Sequence, residues 1–394
     1  MEKTIYLDRI AATPVHSEVL KSMLPYIKEK YGNPQSLHSF GQEARSAVEN
    51  AREKTARLIN ADPDEVILTS SGSEANNFAL KGSVAANRKK GSHIVLSSIE
   101  HPSLLQPAKN LEKAGLSVTM VPVDKWGRVD PDDVKKALTE KTIFVSVQTA
   151  SNEVGTIEPI EEIARICREK EVVFFTDAVA AVGAIPVDVK KSNVDALSLA
   201  GNMFYGPKGT GALYIRKGLR ILPFIEGGNQ EGGRRAGTEN VAGIVGLGKA
   251  AEIAEREISF RTKHVKPLRD HLIQGMLQNV EHVVLTGHPE ERLPYHASFC
   301  VEFVEGESML LNLDMQGISV SSGSACASKS LKASHVLLAM GLDHALAQGS
   351  LVFSLIDGLT AGDIDHVLSV FPSIIDRLRK MSPLYTEFLE EMKK

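Results

Sequence analysis

Several short stretches of this chain carry side chains able to do chemistry. Ser70-Ser71-Gly72-Ser73 lies between an expected strand and a helix beginning near Glu74. Backbone N–H groups and hydroxyls at a helix N-terminus form a cup for a phosphate monoester, through hydrogen bonds and the helix dipole. A turn that merely caps its helix, with Glu74 assisting, explains the same residues. Asp177 ends an apolar strand and needs a partner, either a pyridinium nitrogen or the amides of a following helix. His101 is placed to stack on an aromatic ring or to cap a helix through Ser103, and taken alone it favours the cap.

Two loops add to this set. The run from Gly227 to Thr238 is dense in glycine, which marks unusual backbone or close approach of a ligand or partner. It lacks the lysine and spacing of a Walker loop, so it is not read as nucleotide-binding. The small-residue loop Ser321–Ser330 exposes Cys326 as a candidate reactive thiol. Cys167 and Cys300 sit among apolar neighbours and are read as packing residues.

The elements that position these residues alternate. Strands are expected over Glu65–Ser70, His93–Ser98, Ser117–Val121, Thr142–Val147 and Val172–Thr176. Helical patterns such as Asp130–Leu138 and Ile160–Lys170 separate them, which makes the fold class α/β with a mainly parallel sheet covered on both faces. The polar clusters fall at strand ends, where open α/β sheets bind their ligands. A long helix over Gly246–Gln278 follows, and from His282 onward the chain reads as a smaller α+β lobe.

Composition narrows the function. A formal net charge of −4 gives no electrostatic case for nucleic acid or an anionic membrane. No apolar run approaches the roughly 18 residues of a membrane span, and the first residues lack a signal-peptide pattern. Three cysteines without CxxC spacing make no disulfide framework, so a cytoplasmic protein is expected.

In order along the chain, Tyr6-Leu-Asp8, Tyr31-Gly-Asn-Pro34, the Ser73 turn, Asp195–Gly209 and Gly349–Ser354 closely resemble the cysteine desulfurases. The resemblance is to the NifS/IscS branch of the class V aminotransferase fold and covers nearly the whole chain. It implies the pyridoxal-phosphate (PLP)-dependent transferase fold, of aspartate aminotransferase type. The large cofactor domain would span 15–261, and residues 1–14 with 262–394 would form the small domain carrying the Cys326 loop. That family converts cysteine to alanine, leaves the sulfur as a persulfide on a loop cysteine, and supplies it to iron–sulfur scaffold proteins.

Carried over by position, Ser73 would bind the cofactor phosphate and Thr238 would reach it from the other subunit of a homodimer. His101 would stack on the pyridine ring, Asp177 would pair with its nitrogen, and Asn152 would touch the cofactor or the substrate carboxylate. Cys326 aligns with the persulfide-forming cysteine. The departures are concentrated: Met203 replaces the lysine that forms the Schiff base, and Asn202 its neighbouring histidine. Ala200 replaces a phosphate-binding serine, Ala180 a glutamine and Val352 the arginine for the substrate carboxylate. All five are expected in the cofactor and substrate cavity. Lys208 has a counterpart in the family beside the Schiff-base lysine, so it is not expected to substitute.

A thioether forms no imine and moves no proton. The sequence therefore predicts weak, noncovalent, dialysable PLP and little conventional turnover. The expected role is docking of an IscU/NifU-like scaffold and presentation of Cys326 as sulfur relay or as a ligand of a shared iron–sulfur cluster. The alternative is a working PLP-dependent cysteine desulfurase with a Cys326 persulfide. A different small-molecule pocket is a third reading, with no feature to name its ligand.

Overall fold

The computed structural model describes residues 4–323 and 333–393. Short apolar runs become the strands of one large sheet. These are β1 (Val66–Thr69), β2 (His93–Ser97), β3 (Ser117–Val121), β4 (Thr142–Ser146), β5 (Val173–Asp177), β6 (Ala196–Ala200) and β7 (Gly211–Ile215). Their order is β1-β7-β6-β5-β4-β2-β3. β3, β2, β4, β5 and β6 pair in parallel, whereas β7 is antiparallel to both its neighbours.

Successive strand residues face opposite sides of a sheet, and both sides here are buried. Leu68, Val145, Phe174 and Leu197 join one apolar cluster. Ile67, Phe144, Phe175 and Ala196 join another, with Phe78 and Ala79 of helix α1 (Gly72–Asn87). Double burial is why the strands read as continuous rather than alternating apolar runs. The five expected strands are present, each within a residue of its expected ends. β6 and β7 complete the sheet without having been recognised, since they flank the glycine-rich Gly201–Gly209 turn.

Helix α2 (Pro102–Lys113) follows β2, and the long helix α3 (Val241–Asn279) runs unbroken through residue 261, where the sequence suggested a domain division. Beyond it, β8 (Val283–Thr286), β9 (His296–Val301) and β10 (Ser350–Ser354) form an antiparallel sheet in the order β10-β9-β8. The N-terminal segment joins this region: Ile5–Tyr6 pairs in parallel with Ile318–Ser319, and Asp8 bridges Ser354. No helix among the described residues is long and apolar enough to cross a membrane.

Candidate cofactor site

The loops after β1, β2, β4, β5 and β6 converge at the carboxyl ends of their strands around a cavity of about 320 Å³. Ser73, His101, Asn152 and Asp177, four of the five expected contacts, line it. Thr238 does not. It is exposed and borders a separate cavity of about 160 Å³ with Ser70, Thr210 and Arg235. Cys326, expected as persulfide carrier and metal ligand, lies outside the described residues.

At the first loop the two readings of the Ser/Gly turn fall on different residues. Ser71 caps α1, its Oγ accepting the Glu74 N–H at 3.1 Å. Ser73 is left to line the cavity. Gly72 is required by packing, because a Cβ there would stand 2.5 Å from Val179 Cγ2. The glycine loop is tied back to this turn, since Glu74 receives Arg235 Nε at 2.8 Å. Glu231, in a left-handed conformation at φ 51°, receives Arg52 Nη2 and the Leu68 N–H, each at 2.8 Å.

Asp177, at the end of β5, is 7% exposed. It accepts from Asn76 Nδ2 at 2.6 Å, the Val179 N–H at 3.0 Å and Ser198 Oγ at 3.4 Å. No regular helix follows it, so the helix-cap reading falls away. His101 does cap α2, with its Nδ1 3.1 Å from Ser103 N and 2.6 Å from Ser103 Oγ, while its ring still borders the cavity. Asn152 is fixed through its carbonyl by His296 Nε2 at 2.9 Å. Burial first, and Arg292 second, push His296 down to about 3, so this imidazole is neutral.

Met203, 5% exposed, ends a single 3₁₀ turn over Gly201–Met203 and lines the cavity with Ala180, Ala200 and Asn202. Asn202 Nδ2 sits 3.6 Å from its Sδ. Val352 corrects the expectation of five changes in one cavity. It is fully buried in β10, exchanging backbone hydrogen bonds with Ser321 at 2.7 and 3.1 Å, and is not part of the lining. Lys208 is exposed and outside the lining, and no lysine or arginine is found among the described residues there.

Sequence reasoning passed over Asn76 and Gln148, both in the lining. Asn76 stands one helical turn after Ser73, a spacing that brings side chains to one face and was available as a signal. Gln148 is set by Glu100, whose carboxylate accepts the Gln148 N–H at 2.8 Å and the hydroxyls of Ser97 and Ser146 at 2.6 and 2.9 Å. Burial raises Glu100 to about 7. The same cause lifts the thiols of Cys167 and Cys300 to about 12, which fits their reading as packing residues.

These residues suit a phosphate-bearing pyridine. An anion is favoured at the start of α1, beside Ser73. The Asp177 carboxylate suits a protonated ring nitrogen. Asn76 Oδ1, buried and without a partner among the described residues, offers one more acceptor. Among the described residues the lining has no amine.

Comparison with known proteins agrees with this geometry. The model of the class-V aminotransferases matches residues 5–367. "Cysteine desulfurase IscS" of Dictyoglomus turgidum is 50% identical over 388 residues, 98% of each chain. The protein of the same name from Methanosarcina thermophila is 50% identical over 382 residues, 97% of this chain and 94% of the other. A solved structure described as a NifS-like protein superposes with a TM-score of 0.90 at 38% identity, covering 95% of this chain and all of that one. The chain therefore belongs to the class-V aminotransferase family, in its cysteine desulfurase branch.

Proposed function

We propose that this protein handles sulfur for iron–sulfur assembly in the cytoplasm, holding PLP without a covalent bond. In this reading a homodimer docks a scaffold of IscU/NifU type and presents Cys326 as sulfur relay or cluster ligand. One observation carries it: among the described residues lining the cavity there is no lysine, and Met203 stands where the family places that amine.

When bound, PLP supplies an electron sink for a carbon attached to a substrate amine. The chain's own part is to hold and orient. Ser73 and the first amides of α1 would grip the phosphate, Asp177 the ring nitrogen, and His101 one face of the ring. Met203 keeps water from the floor but gives no site for a proton, so acid–base help worth about 10²–10⁴-fold is missing there.

A second reading is a working PLP-dependent cysteine desulfurase that forms alanine and a Cys326 persulfide. The comparisons favour it more directly than the first, because relatives matching end to end bear that name. The two separate in one assay: alanine and sulfide formed from cysteine by purified protein with added PLP, alongside Cys326→Ala. Absence of turnover, with PLP lost on dialysis and scaffold binding intact, supports the first reading. Turnover abolished in Cys326→Ala establishes the second.

A further inference from the structure

Asn76 and Ser103 connect the two ends of the cavity. Asn76 Nδ2 donates to Asp177 Oδ2 at 2.6 Å and to Ser103 Oγ at 2.8 Å. Asn76 is 1% exposed, so water does not replace these bonds. Its orientation is set by charge, since a flipped amide would turn oxygen toward the Asp177 carboxylate. Ser103 Oγ accepts from Asn76, which leaves its own proton for His101 Nδ1 at 2.6 Å. The Ser103 N–H approaches the same nitrogen at 3.1 Å. Two donors converge on Nδ1, so this nitrogen carries no proton and the imidazole hydrogen resides on Nε2.

We propose that Asn76 and Ser103 are positioning residues that join Asp177 to His101 and hold His101 as the neutral Nε2–H tautomer. The ionised Asp177 orients the Asn76 amide, the amide orients the Ser103 hydroxyl, and the hydroxyl fixes the ring. His101 then faces a ligand as a hydrogen-bond donor at Nε2. Asp177 keeps its second oxygen, held by Val179 N–H and Ser198, in a fixed direction for a ring N–H. The cofactor-binding half of this inference rests on the PLP reading above, whereas the tautomer does not.

The test uses full-length protein with ¹⁵N-labelled histidine, the His101 signals being identified by their loss in His101→Gln. A pyridine-like Nδ1 and a pyrrole-like Nε2 are expected in the ligand-free protein, and a pyrrole-like Nδ1 overturns the proposal. Binding of pyridoxine 5′-phosphate, which has no aldehyde, is measured beside it. Asn76→Ala should weaken that binding roughly tenfold or more, the scale of a hydrogen bond to a charged group. Ser103→Ala should weaken it in the same direction, and Ser103→Thr, which keeps the hydroxyl, should restore it. Unchanged binding in folded Asn76→Ala and Ser103→Ala overturns the positioning role. If Asn76→Ala fails to fold, the Ser103 pair decides. If even the unaltered protein binds no pyridoxine phosphate, the PLP reading and the positioning role fail together, while the imidazole spectrum still decides the tautomer.

Discussion

Thr13 grips Asn202 twice, its backbone N–H and its hydroxyl donating to the Asn202 carbonyl at 2.8 and 2.9 Å. The same hydroxyl oxygen accepts the Tyr205 N–H at 2.7 Å. Residue 203 is therefore presented to the cavity by a turn fastened on both sides, independent of its own side chain. Met203→Lys should place an amine at the cavity floor, with burial lowering its pKa and so favouring the nucleophilic neutral form. We expect PLP to become retained through dialysis by at least about tenfold, a difference of about 1.4 kcal/mol. A visible imine absorbance that borohydride fixes to the chain should accompany it. Cofactor that still dialyses freely from a folded variant would show that the turn is not poised.

Among the described residues Asp177 holds the one carboxylate in the lining, and its hydrogen bonds keep it aimed. Asp177→Ala should cost PLP about 1.5–3 kcal/mol of affinity, the scale of a charge-assisted hydrogen bond. Fluorescence titration of the variant against the unaltered chain measures it. Equal affinities would remove the ring-nitrogen assignment.

How much of this site could be read beforehand differs by residue. Ser73, His101, Asn152 and Asp177 stand at or just beyond strand ends that the apolar runs mark, but their cofactor roles were read from the family resemblance. β6 and β7 escaped because their short runs bracket glycines and a proline that read as a turn. Asn76 and Gln148 escaped for a different reason. The spacing of Asn76 from Ser73 marked a shared helix face, but the contacts that make Asn76 and Gln148 matter are with Asp177 and Glu100, far away in sequence. Val352 was misplaced by analogy of position, because which way a strand residue faces depends on its register with β9 and Ser321.

Gly72 is constrained by space alone. Adding a Cβ 2.5 Å from Val179 Cγ2 forces Val179 to shift, and that residue also supplies its N–H to Asp177. Gly72→Ala is expected to destabilise the fold by about 1–3 kcal/mol, the usual range for overpacking, read as a lower urea midpoint at unchanged slope. PLP affinity should fall with it. A variant as stable as the parent would mean that Val179 turns aside freely.

Glu158 supplies a pH dependence with a definite sign. One oxygen accepts the Val129 N–H at 2.8 Å, and the other is buried without a partner among the described residues. Burial, the largest influence, raises its carboxyl from the ordinary 4.5 to about 8. Between those values the native chain holds a proton that the unfolded chain has released. Stability from this group is thus fully present below about pH 4.5, declines as pH rises through the window to about 8, and is flat above it. Glu158→Gln keeps an acceptor for Val129 but cannot ionise, so its stability should gain on the parent's as pH rises from 5 to 8. Urea unfolding at several pH values measures that difference. Parallel curves for the two proteins would mean that Glu158 is already ionised in the fold, with water or a cation reaching its second oxygen.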